Sequence, residues 1–177
     1  IGRVLPVAKI RYVAFSHVEA DECGALNDFL AAAPDAVPVC GRVAAMVSVN
    51  DLADRPARAL ADGEILRTGS HALRWLDAPH VPHGWDCGFM LETHTRTLLC
   101  GDLFTQGGAV HPPVTDADVL APSLAELRDF DSFAHTHELD ERLVEGHHPG
   151  RTAGLHHRGD LEGLALADEV RDAARAE

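Results

Sequence analysis

A chain of 177 residues, 46% of them hydrophobic and 24% charged, has the length of one domain. A domain of that size buries about 70% of its unfolded surface, which excludes fibrous and disordered classes. The formal net charge of −13 argues against nucleic acid or an anionic membrane as a standing partner, because both reward a basic surface.

No apolar stretch approaches the roughly 20 residues that a bilayer crossing requires, and no charged leader with an apolar core opens the chain. A soluble, cytoplasmic protein is the expectation. Cys23, Cys40, Cys87 and Cys100 show no CxxC spacing and no disulfide-scaffold density, so they read as reduced thiols. Cys23 and Cys87 stand near candidate ligands, but a small buried residue is the plainer reading of each than a soft thiolate ligand.

In chain order, the first predicted element is an apolar strand over residues 11–15. Directly behind it stand four acids and imidazoles in six positions: His17, Glu19, Asp21 and Glu22. Continued as an extended chain, positions 17, 19 and 21 point to one face, so one imidazole and two carboxylates can converge. Two acids on one strand face repel unless a cation lies between them. Asp21 also suits the N-cap of a helix over residues 25–30, which Pro34 stops. The amides and dipole at that helix start favour ionised Asp21 and Glu22.

Residues 36–40 predict a short strand, placed at a sheet edge by Pro38, and residues 43–52 a helix or irregular apolar run. Residues 64–68 and 72–76, joined by Gly69 and Ser70, predict a hairpin, and residues 89–93 and 97–100 a second one. His83 leads into the second hairpin and Asp102 leaves it. Residues 106–122, rich in Gly and Pro, read as a loop bordering the site, and residues 124–130 as a helix. A short helix over 138–144, a last strand over 152–155 that delivers His156, and a final helix opened by Asp160 complete the prediction. His71, His94, His111, His135 and His137 read as exposed loop residues.

A His-x-Glu-x-Asp motif, then a lone His83, a Gly-Asp pair at Asp102 and a final His after a strand resemble, in that order, the metallo-β-lactamase superfamily. Glu19 at the third position is similar to the flavodiiron branch and to proteins that carry its diiron domain alone. The resemblance runs from about Ile10 to the last helix and implies a single α/β domain, an αββα sandwich, over residues 1–177. It also implies the ligand set His17, Glu19, Asp21, His83, Asp102 and His156, with His147 the alternative for the last position. His17, Glu19 and His83 would hold one ion, Asp21 and His156 the other, and Asp102 would span both.

The chain departs from the pattern twice. Glu22 stands where the family has a His directly after the Asp, so Glu22 is either a substitute ligand or a solvated acid at a helix start. Only sixteen residues, opening on Ile1, precede the motif, where the family's fold sets several strands of its first sheet. A domain incomplete at its N-terminus is the expectation.

Carboxylates are hard donors, and mixed His/carboxylate sets suit iron or manganese better than zinc. Glu19, Asp21, Glu22 and Asp102 together carry −4, enough to neutralise two divalent ions. The expected function is therefore a dinuclear, diiron protein that binds or reduces O2 or NO. With no Gly-rich phosphate loop in the chain, no flavin is expected, and reductant would come from an external electron donor. A homodimer is implied by the resemblance. The alternatives are a zinc hydrolase acting on a hydrolysable substrate and a metal-free interaction protein.

Overall fold

The computed structural model describes residues 1–108 and 111–130. The helix expected over 138–144, the strand over 152–155, the final helix, and with them His147 and His156, lie outside the described residues. The described residues fall into two compact units, one of residues 1–79 with 84–101, the other including residues 80–83, 102–108 and 111–130. Both sheets belong to the first.

The first sheet is parallel, in the order β1 (Tyr12–Ala14), β2 (Val37–Gly41), β3 (Arg58–Leu60). The second is antiparallel, in the order β4 (Ile65–Thr68), β5 (His71–Asp77), β6 (Gly88–Glu92), β7 (Thr97–Leu99). Both expected hairpins are present, β4–β5 and β6–β7. Val39 and Leu60 of the parallel sheet pack with Leu66, Trp75 and Met90 of the other, so the two sheets meet face to face. Trp75 is the largest fully buried side chain, with Gly41 and Gly88 against its ring. A Cβ on Gly88 would overlap that ring, so only glycine lets the indole lie there. The indole N–H donates to Asp77 Oδ1 at 2.6 Å, which satisfies its polar end.

On the other face of the parallel sheet lie α1 (Ala20–Cys23), α2 (Leu26–Ala32) and a continuous helical run formed by α3 (Arg42–Ala44), a π turn (Ala45–Val49) and α4 (Asn50–Leu52). Leu26, Leu30, Ala44, Ala45 and Val49 join Phe15 and Cys40 in that core. The apolar run expected over 43–52 is thus a helix. Arg55 closes the C-terminal end of α2: its Nη1 donates to Ala33 O, Pro34 O and Ala36 O, and its Nη2 to Leu30 O at 2.9 Å. Carbonyls left over at a helix end are met here by one guanidinium.

Two expectations are corrected. The strand over 36–40 is central, paired with β1 on one side and β3 on the other. Pro38 is accommodated because Val37 N–H donates to Arg11 O on the β1 side, so the next nitrogen faces β3, whose pairing begins only at Val39. The second correction concerns α5 (Leu120–Phe130), which starts four residues before the expected position and takes Pro122 into its first turn. There the missing N–H removes no helical bond, and Asp118 Oδ1 accepts from Leu120 N at 2.9 Å to open the helix. β3 has no counterpart among the expected elements: three residues without a β-branched side chain give no period to read.

The β6–β7 turn is closed by Glu92. Its Oε2 accepts from Thr95 N at 2.6 Å and Thr95 Oγ1 at 2.7 Å, and its Oε1 from Ala72 N at 3.3 Å. The Thr95 N–H, the Thr95 hydroxyl and the Ala72 N–H hold this carboxyl down at about 2.

Candidate metal centre

β1 ends at Ala14, the chain bends through Ser16 to Val18, and Glu19, extended at φ −145° and ψ 158°, is the N-cap of α1. Positions 17, 19 and 21 therefore do not share a strand face as expected, and the helix expected behind Asp21 is α2, whose N-cap position is Ala25. The backbone groups that a continuing strand would need are taken up elsewhere. Val18 N–H donates to Asp86 Oδ2, and Ser16 O accepts from Gly88 N–H, both at 2.9 Å. Asp21 becomes an exposed residue in the first turn of α1.

His17 is 2% exposed. Its Nδ1 lies 2.7 Å from Ser16 Oγ and its Nε2 2.9 Å from Glu19 Oε2. With an ion held between Nε2 and Glu19 Oε2, Nδ1–H would donate to the serine, a second bond of the kind that fixes both tautomer and ring orientation. His83 stands on the connection from β5 to β6, and Asp102 in the 3-10 turn Gly101–Phe104 that follows β7. Both are half-buried.

One ligand atom from each of His17, Glu19, His83 and Asp102 lies within 4.8 Å of the others. An ion with bonds of about 2.0–2.2 Å sets its opposite ligands up to about 4.4 Å apart, so a group within 4.8 Å is a few tenths of an ångström from a coordination sphere. Two imidazoles with two carboxylates are also the mixed donor set that iron and manganese accept. Asp21 and Glu22 are not in this group. Glu22 turns back instead, its Oε2 3.5 Å from Ser16 N, and lines with Phe15, Met90, Cys100 and Gly101 a cavity of about 310 Å³.

Three residues here carry roles that the sequence reading misses. Ser16 holds the His17 ring, Asp86 fixes the loop at Val18, and Gly101, at φ +46°, makes room for Ser16: a Cβ there would lie 2.8 Å from Ser16 Cβ and 3.0 Å from Glu22 Oε1. Their signals are local and faint, a hydroxyl beside a histidine and a glycine beside an aspartate.

Burial disfavours the thiolate at three of the four cysteines. Burial pushes Cys40 up to about 12 and raises Cys100. Burial also raises Cys23, with the charges of Asp86, Glu22 and Asp21 adding to it against a backbone bond to Glu19 O. A thiolate is the form that binds metal, so these three are poor ligands.

No known family model matches the chain, and no curated protein sequence does. Solved structures do. Rubredoxin oxygen:oxidoreductase from the anaerobe Desulfovibrio gigas is 22% identical with a TM-score of 0.64, over 82% of this chain and 38% of that one. The flavodiiron protein from Giardia intestinalis is 22% identical with a TM-score of 0.57, over 70% of this chain and 30% of that one. A diflavin flavoprotein fragment from Nostoc sp. PCC 7120 is 19% identical with a TM-score of 0.62, over 98% of this chain and 70% of that one. The fold is the metallo-β-lactamase sandwich. Within that fold it is like the core of flavodiiron proteins, and the chain spans less than two fifths of the length of the first two.

Proposed function

We propose that the chain holds a pair of metal ions, iron at both positions, and binds or reduces O2 or NO with electrons from an external donor. The observation that carries this reading is the gathering of His17, Glu19, His83 and Asp102 into one ligand-sized cluster, within a fold whose solved likenesses include an oxygen:oxidoreductase and a flavodiiron protein. His17, Glu19 and His83 would hold one ion, Asp21 and His156 the other, with Asp102 shared by both and Glu22 a further ligand on releasing Ser16.

When bound, the ions would supply the redox chemistry and the positive charge at the reacting centre, the electrons coming from the donor. The chain supplies the geometry. Ser16 holds the His17 ring in orientation, Asp86 pins the loop that carries it, and burial of His17 keeps water from that side. The carboxylates of Glu19 and Asp102 set the charge of the centre, and their hardness sets the preference for iron over zinc.

The test is metal analysis of the protein expressed in iron-replete medium, with optical spectra before and after exposure to air. About two irons per chain and a visible band that responds to air are expected, both lost in His17→Ala and Asp102→Asn. Full zinc occupancy with esterase or thioesterase turnover would replace this reading with a hydrolase. Protein that stays free of metal after purification with iron and zinc would overturn both.

A further inference from the structure

At the other end of β6 stand three side chains that the candidate centre does not use. Glu92 Oε1 lies 3.5 Å from His71 Nδ1 and 3.4 Å from His94 Nδ1. His71 opens β5, and continuing the β5–β6 register past its last pair, Leu73 with Glu92, sets His94 directly across from it. The Thr93 N–H to Ala72 O bond of 2.9 Å shows that the ladder does run on. Residues opposite one another in a ladder have Cβ atoms about 4.5–5.5 Å apart, close enough for both rings to reach one ion.

We infer that His71, Glu92 and His94 form a second metal site, for a borderline divalent cation such as Zn²⁺, at the hairpin end of the antiparallel sheet. It is separate from the His17 cluster: Gly88, bonded to Ser16, and Glu92 are the two ends of β6, about 13 Å of extended chain. A tetrahedral ion with bonds of about 2.0–2.1 Å sets its ligand atoms about 3.4 Å apart, the spacing that Oε1 keeps from each imidazole nitrogen; the two imidazoles stand farther from each other than that and turn toward one another to share the ion.

The carboxylate is the fixed member. It is 7% exposed, and Thr95 and Ala72 hold both its oxygens in place. The imidazoles are the mobile members. Their side chains are 59% and 68% exposed and flank Oε1, so rotation about exposed bonds brings them onto the ion without moving the sheet. Water completes the coordination, and the bound ion clips the start of β5 to the β6–β7 turn.

The test is calorimetric titration of the full chain, stripped of metal by chelation, with Zn²⁺ alone. Wild type, His17→Ala and the control His111→Ala are expected to keep a zinc equivalent that His71→Ala and His94→Ala bind at least tenfold more weakly. Because His17→Ala retains it, failure of the candidate centre and failure of this site give different results. Equal zinc stoichiometry and affinity in wild type and both histidine variants overturns the inference. Should His17→Ala not fold, the ring resonances of His71 and His94 in wild type are expected to shift with added Zn²⁺, and unmoved resonances overturn it equally.

Discussion

The hydroxyl of Ser16 is the smallest group on which the candidate centre depends. Replacing it by alanine leaves the strand and bend intact but frees His17 Nδ1, which sits 2.7 Å from that oxygen. Ser16→Ala is therefore expected to fold with a melting temperature near that of wild type and to bind metal about 10–100-fold more weakly, measured by competition with a chelator. At this scale the sequence shows the ligands better than their supports. His17, Glu19, His83 and Asp102 stand out by type and position, and the structure gathers them. The strand-face argument for Asp21 fails because period-two spacing orders side chains only while the backbone stays extended, and here it turns into α1. His71 and His94 read as idle loop residues, since only the register that pairs β5 with β6 brings them to Glu92.

At the scale of elements, hairpins are the most legible because their partners are neighbours in sequence and the β4–β5 turn carries Gly69 at positive φ. The parallel sheet is not, since each of its pairings spans a helix-bearing connection and leaves no local signal. Glu92 shows how a turn adds to stability. Its carboxyl is held down at about 2, below the unfolded value of about 4.3, so its contribution is fully present above the unfolded value and is lost as pH falls through 2. Glu92→Gln should accordingly lower the melting temperature at pH 7. The difference from wild type should narrow steadily between pH 5 and pH 2, with a chelator present throughout to keep metal out of the comparison.

For the molecule as a whole, the net charge of −13 bears on how the metal would act on stability. Glu19 and Asp102 are gathered within a few ångströms, and acids so placed repel when nothing positive lies between them. Chelator-treated protein is expected to melt lower than metal-loaded protein and to gain more from added sodium chloride, which screens that repulsion. Equal salt responses of the two forms, read by differential scanning calorimetry, would show that the cluster holds no ion. Among the described residues no helix is long and apolar enough to cross a membrane. The sandwich itself is readable from the hairpins and the motif order, whereas the face-to-face packing through Trp75 depends on two distant glycines that no period announces.

The bond from Gly88 N–H to Ser16 O crosses from one sheet to the loop leaving the other, a single residue before His17. The imidazole thus rides on a seam between layers. A slip of one sheet past the other would drag the ring with it, so the bite of the ligands gauges interlayer registry, and the loop cannot fray open on its own without first unzipping that seam.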